Sequence, residues 1–451
     1  MKIFSLSIFA LSILAALLGV PAFAQQPSVE NSAASELPSL LAIYKDLHTH
    51  PELSAQEEKT SALIAKELRV AGCEVTEHLG KYTKPNQTGY GVLGLMKNGS
   101  GPTVLVRTDM DALPVEEETG LPYASKIVTK NDEGKDVHVM HACGHDAHMA
   151  AFIGTARTLA KMKDQWHGTI VFVGQPAEEM GTGARAMLND GLYTRFPKPD
   201  FALGFHDNAQ METGHLGVTE GYTFANVDSV NITVRGTGGH GAYPHKTKDP
   251  IVLSAEIINA LQTIASRENN PIDPVVVTVG SIHGGTKHNI IPDEVKMQLT
   301  VRSYKMDVRE RLLAAIDRIA KGCATAAGVP PDRMPITEVL RDEFSPATYN
   351  NPELTKRLVD VWNKTFGPDK IEKTDPTMGA EDFSEYSLPD HSIPACDFWL
   401  GAVDPAKIAD SKKTGTPLPS LHSNKFAPVP EPTIRVGIIG MTSAVLELMK
   451  K

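Results

Sequence analysis

The segment over residues 141–148, with the sequence HACGHDAH, contains a cysteine and three histidines within eight positions. Thiolates and imidazoles are the ligands that zinc and similar divalent metals prefer in proteins. Cys143 and His145 also stand at the start of a predicted helix over 147–162, where the partial positive charge of a helix end favours a thiolate. A lone cysteine or histidine is more often a packing residue than a ligand. The two together, one residue apart, predict a metal site.

A second candidate group is the pair of adjacent carboxylates Glu178 and Glu179, which follows an apolar run over 169–173 and a turn at 175–177. Adjacent acidic residues usually form a solvated turn, but charge beside a buried strand is costly unless something positive balances it. Neighbouring side chains point in different directions, so one carboxylate can bind a metal while the other faces a water molecule. The pair therefore favours a general base beside a Lewis acid.

The elements that must position these groups form a layered α/β pattern. Short apolar runs predict strands over 91–96, 103–107, 169–173 and 201–205, and helical periodicity separates them over 147–162 and 183–189. Asp109 and Asp111 follow the second of these strands, and His206 follows the fourth. Ligands of open α/β sheets bind beyond the carboxyl ends of the strands, so we expect these segments to meet in one crevice.

A second pattern begins near residue 225. Its runs predict strand, helix, strand, strand and helix, with room for a final strand over 335–340, which is the order of a ferredoxin-like sandwich. After residue 350 the helix and strand pattern of the first region returns. The chain therefore predicts an α/β/α domain with a mixed sheet over 37–224 and 341–451, and an inserted α+β domain over 225–340.

The amino terminus predicts export. A lysine precedes an apolar run over 3–20, and residues 21–24 (PAFA) form a cleavage sequence, so residues 1–24 have the pattern of a signal peptide. The run is short for a membrane-spanning helix, so a retained anchor is the less favoured alternative. We expect a periplasmic or secreted protein, cleaved near Ala24, whose residues 25–36 are a flexible lead-in of small polar residues.

Charge and cysteine content limit the remaining classes. The formal net charge is −10, which gives no indication of a nucleic-acid partner. Past the signal peptide no stretch of about 18 apolar residues follows, so we expect no membrane partner after cleavage. The four cysteines are too few and too far apart for a disulfide framework. Whether two of the cysteines Cys73, Cys323 and Cys396 form a single disulfide is left undecided by the sequence.

Seven ordered motifs resemble the M20 family of metallopeptidases, and more narrowly its amidohydrolase branch, which includes hippurate hydrolases and indole-acetyl amino acid hydrolases. The similarity runs from about residue 37 to the carboxyl terminus. The motifs are LHTHPELS over 47–54, RTDMDALP over 107–114, HACGHDAH over 141–148, PAEE over 176–179, GHGAYPH over 239–245, NIIP over 289–292 and GAEDF over 379–383.

The resemblance implies a catalytic domain with two divalent metal ions and an inserted lid or dimerisation domain. Zinc suits the ligand types best, and manganese, cobalt or nickel are alternatives. Glu178 is implied as the general base, and Asp109 and Asp111 are implied to support the ligands rather than to bind metal. The Asp111 side chain is expected to orient a ligand histidine through the free nitrogen of its ring. The implied metal ligands are Cys143, His145, Glu179, His206 and His422.

The same resemblance implies residues that contact an N-acyl amino acid or a dipeptide-like substrate. His240 is implied to stabilise the oxyanion of the tetrahedral intermediate, from its own or a neighbouring subunit of a homodimer formed through the inserted domain. Asn289 and Arg302 are implied to hold the free carboxylate of the substrate, and Gly379 to offer a backbone contact.

Two other functions stay open at this point. A metal-stabilised protein could bind peptides or amino acids without turnover, although every implied catalytic and ligand residue is present. A cysteine hydrolase could use Cys143 as its nucleophile with a neighbouring histidine as base. Removal of metal distinguishes a cysteine hydrolase from a two-metal hydrolase, because a thiol enzyme should keep its activity in the presence of a chelator.

Overall fold

The computed structural model describes residues 28–83, 87–388 and 390–450 of the 451-residue chain. The predicted signal peptide over 1–24 lies outside the described residues. The helices are α1 (Val29–Thr49), α2 (Glu58–Val70), α3 (His145–Lys161), α4 (Gly183–Asn189), α5 (Leu192–Arg195), α6 (Pro250–Thr263), α7 (Met306–Ala326), α8 (Pro352–Phe366), α9 (Pro405–Thr414) and α10 (Pro430–Met449).

The strands divide between one large sheet, one four-stranded sheet and short two-stranded pairs. They are β1 (Glu74–Leu79), β2 (Gly91–Asn98), β3 (Thr103–Asp109), β4 (Val128–Lys130), β5 (Asp136–His138), β6 (Gly168–Gln175), β7 (Phe201–Glu212), β8 (Leu216–Val218), β9 (Gly221–Phe224), β10 (Asn226–Arg235), β11 (Gly239–His240), β12 (Val276–His283), β13 (Ile290–Ile291), β14 (Glu294–Ser303), β15 (Ile336–Val339), β16 (Thr348–Asn350), β17 (Ile371–Lys373) and β18 (Ala395–Val403).

The large sheet has the strand order β1-β2-β6-β3-β7-β18-β8-β17 and mixes parallel with antiparallel pairs. Alternate residues of β3 face opposite layers. Val104 and Val106 pack against the layer that contains α1, α3 and α10, whereas Leu105 packs against the layer that contains α4 and α5. Because both faces are covered, the central strands are apolar at successive positions. The mixed-sheet α/β/α prediction is confirmed.

The small domain has the antiparallel strand order β12-β14-β10-β15, with α6 and α7 packed on one face. In chain order these elements are strand, helix, strand, strand, helix and strand, which is the ferredoxin-like arrangement. Val230, Ile232 and Val234 of β10 are buried, and the residues between them are partly exposed. This alternation is what a sheet covered on one face requires, and the two-domain fold is confirmed.

The prediction of a flexible lead-in over 25–36 is wrong from residue 29 onward, and residues 25–27 lie outside the described part. The Ser28 side chain accepts a hydrogen bond from the Asn31 amide and caps α1, which continues through Pro38. Ala33 is buried, and Glu36 forms ion pairs with Arg157 and Lys161 of α3. The small residues of this stretch show no helical pattern, because the first turns of α1 are stabilised by packing on α3 rather than by a strong apolar period.

Among the described residues, α10 is long and apolar enough to cross a membrane by length and composition. However, 78% of its most apolar window is buried inside the protein, where it packs against α1, α3 and α8. A helix that is apolar on all sides and covered by other helices is a core element. The four cysteines are all free, so no disulfide joins Cys73, Cys323 and Cys396.

Candidate active site

The candidate site lies where β3 and β7 diverge. These parallel strands pair only between Val104–Val106 and Phe201–Leu203, and β7 then continues beside β18 alone. Asp109 ends β3, and His206 lies on β7 three residues past the last pair with β3. The gap between the two strand ends is the crevice that open α/β sheets use for ligands, as the sequence predicts.

The turn before α3 brings Cys143 and His145 to this crevice. Gly144 lies between them at φ +84° and precedes the first residue of the helix. A β-carbon on Gly144 would lie 2.4 Å from Oδ2 of Asp207, so a side chain has no room there. The glycine therefore lets the chain reverse direction while both of its neighbours stay buried.

Five side chains that the sequence proposes as metal ligands meet in the crevice. The Cys143 Sγ atom lies 3.4 Å from Nε2 of His206 and 3.3 Å from Nε2 of His422. Oε2 of Glu179 lies 3.5 Å from Nε2 of His422, and Oε1 lies 3.9 Å from Nε2 of His145. Two groups of three donor atoms, each within 4.8 Å of one another, share the cysteine: Cys143 with His145 and His206, and Cys143 with Glu179 and His422.

Backbone carbonyls orient two of the histidines. Nδ1 of His145 lies 2.8 Å from the carbonyl oxygen of Asp111, and Nδ1 of His206 lies 2.9 Å from the carbonyl oxygen of Asp207. A carbonyl only accepts, so each Nδ1 carries the proton and each Nε2 keeps a lone pair directed at the cluster. Nε2 of His145 is buried and has no hydrogen-bond partner among the described residues. Such an orphaned atom fits a metal ligand.

The Asp111 side chain has a different task from the one the sequence suggested. We expected its carboxylate to orient a ligand histidine, but that bond is made by its backbone carbonyl, and the carboxylate lies 3.6 Å from Nδ1 of His145. The carboxylate instead accepts the amide hydrogens of Glu178 and Glu179 at 3.1 and 3.0 Å. It thus holds the turn that begins at Ala177, whose φ is +51°.

Asp109 is saturated by other partners. Its Oδ1 accepts a hydrogen bond from Nδ1 of His148 at 2.8 Å, and its Oδ2 accepts one from the Arg107 guanidinium at 2.7 Å. Its Oδ2 also lies 3.7 Å from Nε2 of His145, so it is within reach of a metal bound there. Because both oxygens are already bonded, this geometry suits support of the ligands better than direct binding.

Buried acidic groups crowd the site. Burial and then the Glu381 and Glu179 charges raise the pKa of Glu178 well above its usual value. Burial and then the Glu179 and Glu178 charges likewise raise the pKa of the Cys143 thiol well above its usual value. The buried Arg107 guanidinium forms an ion pair with Asp109 and offsets part of the negative charge of these carboxylates. Divalent cations would offset this surplus of negative charge and ionise the thiol, so the donor set fits metal binding.

Glu178 belongs to a further group of three donor atoms, with His145 and Glu179, that does not include Cys143. Its side chain is nearly buried, and Oε2 lies 3.9 Å from Nε2 of His145. No described residue donates a hydrogen bond to its carboxylate, although its own backbone amide is held by Asp111. A carboxylate that is fixed through its backbone and free at its oxygens can exchange a proton with a bound water.

A cavity of about 1130 Å³ opens from the ligand cluster and runs between the two domains. Arg302 and Gly379 line it together with Glu178 and four candidate ligands, Cys143, Glu179, His206 and His422. The Arg302 guanidinium donates to the Met378 carbonyl at 2.8 Å. The Gly379 amide donates to Thr377, and its carbonyl accepts from the Ala225 amide, so the proposed backbone contact of Gly379 has both groups engaged already.

The structure does not bring His240 and Asn289 into the cavity of their own chain. Both residues are exposed, and they lie side by side on β11 and the turn before β13. The Asn289 carbonyl accepts the Gly241 amide, and Nδ1 of His240 accepts the Ala242 amide at 3.0 Å. Their position on the outer rim of the small domain leaves the His240 Nε2 atom free to face another molecule.

Comparison with known proteins decides the family. The model of the peptidase family M20/M25/M40 matches residues 105–415, which include most of the motifs and four of the five candidate ligands. The chain belongs to this family. Membership of a peptidase family places this M20 protein among hydrolases that act on amide bonds.

Relatives agree over nearly the whole chain. Thermostable carboxypeptidase 1 of Saccharolobus solfataricus is 35% identical over 415 residues, 91% of this chain and 96% of that protein. N-acetyl-L-cysteine deacetylase of Bacillus subtilis is 35% identical over 354 residues, 77% of each chain. The crystal structure of the Bacillus subtilis protein YxeP, a dinuclear metal binding peptidase of the M20 family, superposes with a TM-score of 0.73 at 27% identity, over 92% of this chain and 99% of that chain.

Several groups in the site of this M20 protein were not assigned a role from sequence. Arg107 is fully buried and bonds to Asp109 and Glu381 at 2.7 Å each. The His206 ring packs edge-on against Trp399 at 5.7 Å between centroids, and Phe224 lines the same cavity. An arginine among apolar strand residues was the available signal for Arg107, since a buried charge needs partners. The aromatic residues gave no signal, because core strands contain many.

Proposed function

We propose that this M20 protein is a two-metal amidohydrolase that cleaves N-acyl amino acids or small peptide-like substrates with a free carboxylate. The observation that carries the proposal is the pair of three-atom donor groups sharing Cys143, with the Glu178 carboxylate free beside them. The relatives named N-acetyl-L-cysteine deacetylase and carboxypeptidase support the substrate class. Both names describe hydrolysis of an amide next to an amino acid.

Two divalent ions would be held by the two donor groups. The first would take Cys143, His145 and His206, the second Cys143, Glu179 and His422, and the dinuclear metal binding M20 peptidase of Bacillus subtilis supports the count. Thiolate, imidazole and carboxylate together suit zinc, with manganese, cobalt or nickel as alternatives. Bound metal would lower the pKa of water from 15.7 towards about 7 and polarise the substrate carbonyl.

Glu178 would act as the general base. Its carboxylate lies in the cavity next to the ligand cluster and would accept the proton of the attacking water. The same carboxylate would then return the proton to the leaving amine. The Asp111 carboxylate contributes by holding the Glu178 amide, which keeps the base at one distance from the cluster.

Arg302 and Asn289 would hold the carboxylate of the substrate. No described carboxylate lies within ion-pair distance of the half-buried Arg302 guanidinium, so the Arg302 charge faces the cavity uncompensated. An arginine fork pairs bidentately with a carboxylate and holds it in one orientation. Arg302 would act within its own chain, whereas Asn289 lies with His240 on the outer rim.

His240 would stabilise the oxyanion from the small domain of a neighbouring subunit. In its own chain His240 is exposed and lies outside the cavity. The apolar residue Ile290, which pairs with it, is also exposed, at 49% of its full accessible surface. A homodimer through the inserted domain would cover this rim and carry His240 to the partner's cavity.

We further propose that the protein is exported after cleavage near Ala24, a step that sequencing of the mature amino terminus tests.

The decisive experiment is a substrate panel. The mature protein, stripped of metal and reloaded with zinc, manganese or cobalt, is incubated with N-acetyl, N-benzoyl and indole-acetyl amino acids and with dipeptides. We expect metal-dependent release of free amino acid, and loss of turnover when the substrate carboxylate is converted to an amide. Stoichiometric metal binding without hydrolysis of any substrate would favour the alternative of a metal-stabilised binding protein.

A further inference from the structure

His48 at the end of α1 makes two buried ionic contacts outside the metal site. Its Nδ1 lies 2.6 Å from Oδ2 of Asp146, and its Nε2 lies 3.0 Å from Oε1 of Glu117. The three side chains are closed off from solvent. An imidazole bonds to two carboxylates only when both of its nitrogens carry hydrogen. Burial alone would lower the pKa of His48, but the Asp146 and Glu117 carboxylates outweigh it and raise the pKa to about 10.

The first contact fixes the start of α3. Asp146 directly follows the ligand His145, and its Oδ1 accepts the Ala147 amide at 2.9 Å, within the first turn of the helix. Its other oxygen is held by His48. The orientation of this helical turn sets where Cys143 and His145 point, because both flank Gly144 at the entry to the helix.

The second contact fixes an irregular segment on the other side of His48. The Glu117 carboxylate also accepts hydrogen bonds from the Thr119 hydroxyl and, at 2.6 Å, from the Ser125 amide. The neighbouring Glu118 amide donates to the Asn424 carbonyl at 2.8 Å. That bond reaches a loop from a distant part of the chain, two residues after the ligand His422.

The loop around His422 needs such support. No regular secondary structure is assigned over 415–429, and His422 has a left-handed φ of +66° with about half of its side chain exposed. The His422 amide donates to the Ala142 carbonyl at 2.9 Å. The loop is thus hydrogen-bonded at His422 to Ala142, the residue before Cys143. At Asn424 it is hydrogen-bonded to the segment that Glu117 holds. A strained residue persists only where its surroundings hold it.

We propose that His48 is a positioning residue that joins the two halves of the metal centre, α3 with Cys143 and His145 on one side and the His422 loop on the other. The inference rests on the proposed metal centre. Its distinctive consequence is asymmetric: loss of His48 frees the Glu117 segment and hence the exposed His422 loop, whereas Cys143, His145 and His206 stay packed in the core. The metal that Glu179 and His422 share should suffer more than the other.

The test uses His48→Gln, with Arg157→Gln as the matched control. Arg157 also ties α3 to α1, through Glu36, and it contacts neither the Glu117 segment nor the His422 loop. Zinc affinities and stoichiometry are measured by titration of the metal-free proteins. We expect His48→Gln to weaken one of two zinc ions by about tenfold or more, as loss of groups that orient ligands does, and to leave the other ion close to wild type.

Hydrogen exchange of the metal-free proteins provides a readout that does not depend on activity. Amides over 420–426 should exchange faster in His48→Gln than in wild type, with no such change in Arg157→Gln. Should His48→Gln fail to fold, Glu117→Gln serves instead, since it keeps the shape and removes one charge. Unchanged zinc affinity and exchange, or equal effects in the Arg157 control, would overturn the inference. A wild-type protein that binds no second zinc would instead refute the proposed metal centre.

Discussion

The Cys143 Sγ atom lies 3.3 Å from Nε2 of His422, although 279 residues separate the two in the chain. The same sulfur lies 3.4 Å from Nε2 of His206. The thiol therefore belongs to both donor groups, and it lies between a candidate ligand on the central sheet and a candidate ligand on a carboxyl-terminal loop. A residue in this position would contribute to both of the proposed metal sites.

Replacement of Cys143 by alanine should lower the affinity for both metals, because the thiolate belongs to both donor groups. Elemental analysis after dialysis should give fewer than two metals per chain. Cys396→Ala is the matched control, since Cys396 is also a buried free cysteine and lies on β18 away from the cluster. Two metals retained in Cys143→Ala would rule out the thiol as a ligand.

Glu178→Gln should keep the metal content and lower kcat by about a hundredfold to ten-thousandfold, because an amide cannot accept the proton of water. Metal analysis and steady-state kinetics on an N-acyl amino acid check this together. Glu338 lines the same cavity from the small domain, so Glu338→Gln should keep near wild-type kcat. Comparable loss in both variants would mean that any cavity carboxylate has this effect and that Glu178 is not the base.

Chelation should abolish activity, and added zinc, manganese or cobalt should restore it. The Cys143 thiol is 5% exposed, and burial together with the nearby carboxylates raises its pKa, so alkylating agents should act slowly on it. Turnover is followed after chelator and after iodoacetamide, each with and without added metal. A cysteine hydrolase predicts the reverse pattern, with activity that survives the chelator.

His240→Ala should lower kcat and leave the metal content at wild-type level, because His240 lies outside the ligand cluster. If His240 acts from a neighbouring subunit, mixing inactive His240→Ala with inactive Glu178→Gln should regain activity in heterodimers, up to one intact site in each. The mixture is assayed after subunit exchange. Mixtures that stay as inactive as their components would place His240 in its own chain or outside the reaction.

The contribution of His48 to stability should depend on pH. Its pKa is raised from 6.5 to about 10 by Asp146 and Glu117 against the effect of burial, with Tyr44 and Tyr123 packed on the ring. A raised pKa adds stability that is complete below the unfolded value and disappears as pH rises through the folded value. The free energy of unfolding of metal-free wild type should exceed that of His48→Gln most below pH 6.5. The difference should shrink towards pH 10, which urea denaturation measures.

The sequence indicated most of the site because metal chemistry restricts residue types. A cysteine beside a histidine, and two glutamates after a buried strand, are unusual enough to be recognised without coordinates. The sequence indicated less about the role of Arg107, since its partners Asp109 and Glu381 are 272 residues apart in the chain and meet only across the folded sheet. The first turn of α1 was missed for a related reason, because Ala33 and Glu36 are stabilised by α3 and not by their neighbours in sequence.

By itself the sequence determined the α/β/α domain and the inserted ferredoxin-like domain, and through the family resemblance it proposed the donor residues. Local periodicity and ligand chemistry depend on residue types and on short spacings along the chain. The tertiary structure decided which donors share a cysteine, which atom of Asp111 orients His145, and that His240 lies outside its own cavity. These are distances between segments far apart in the chain, and only the packing of the sheet, α3 and the His422 loop sets them.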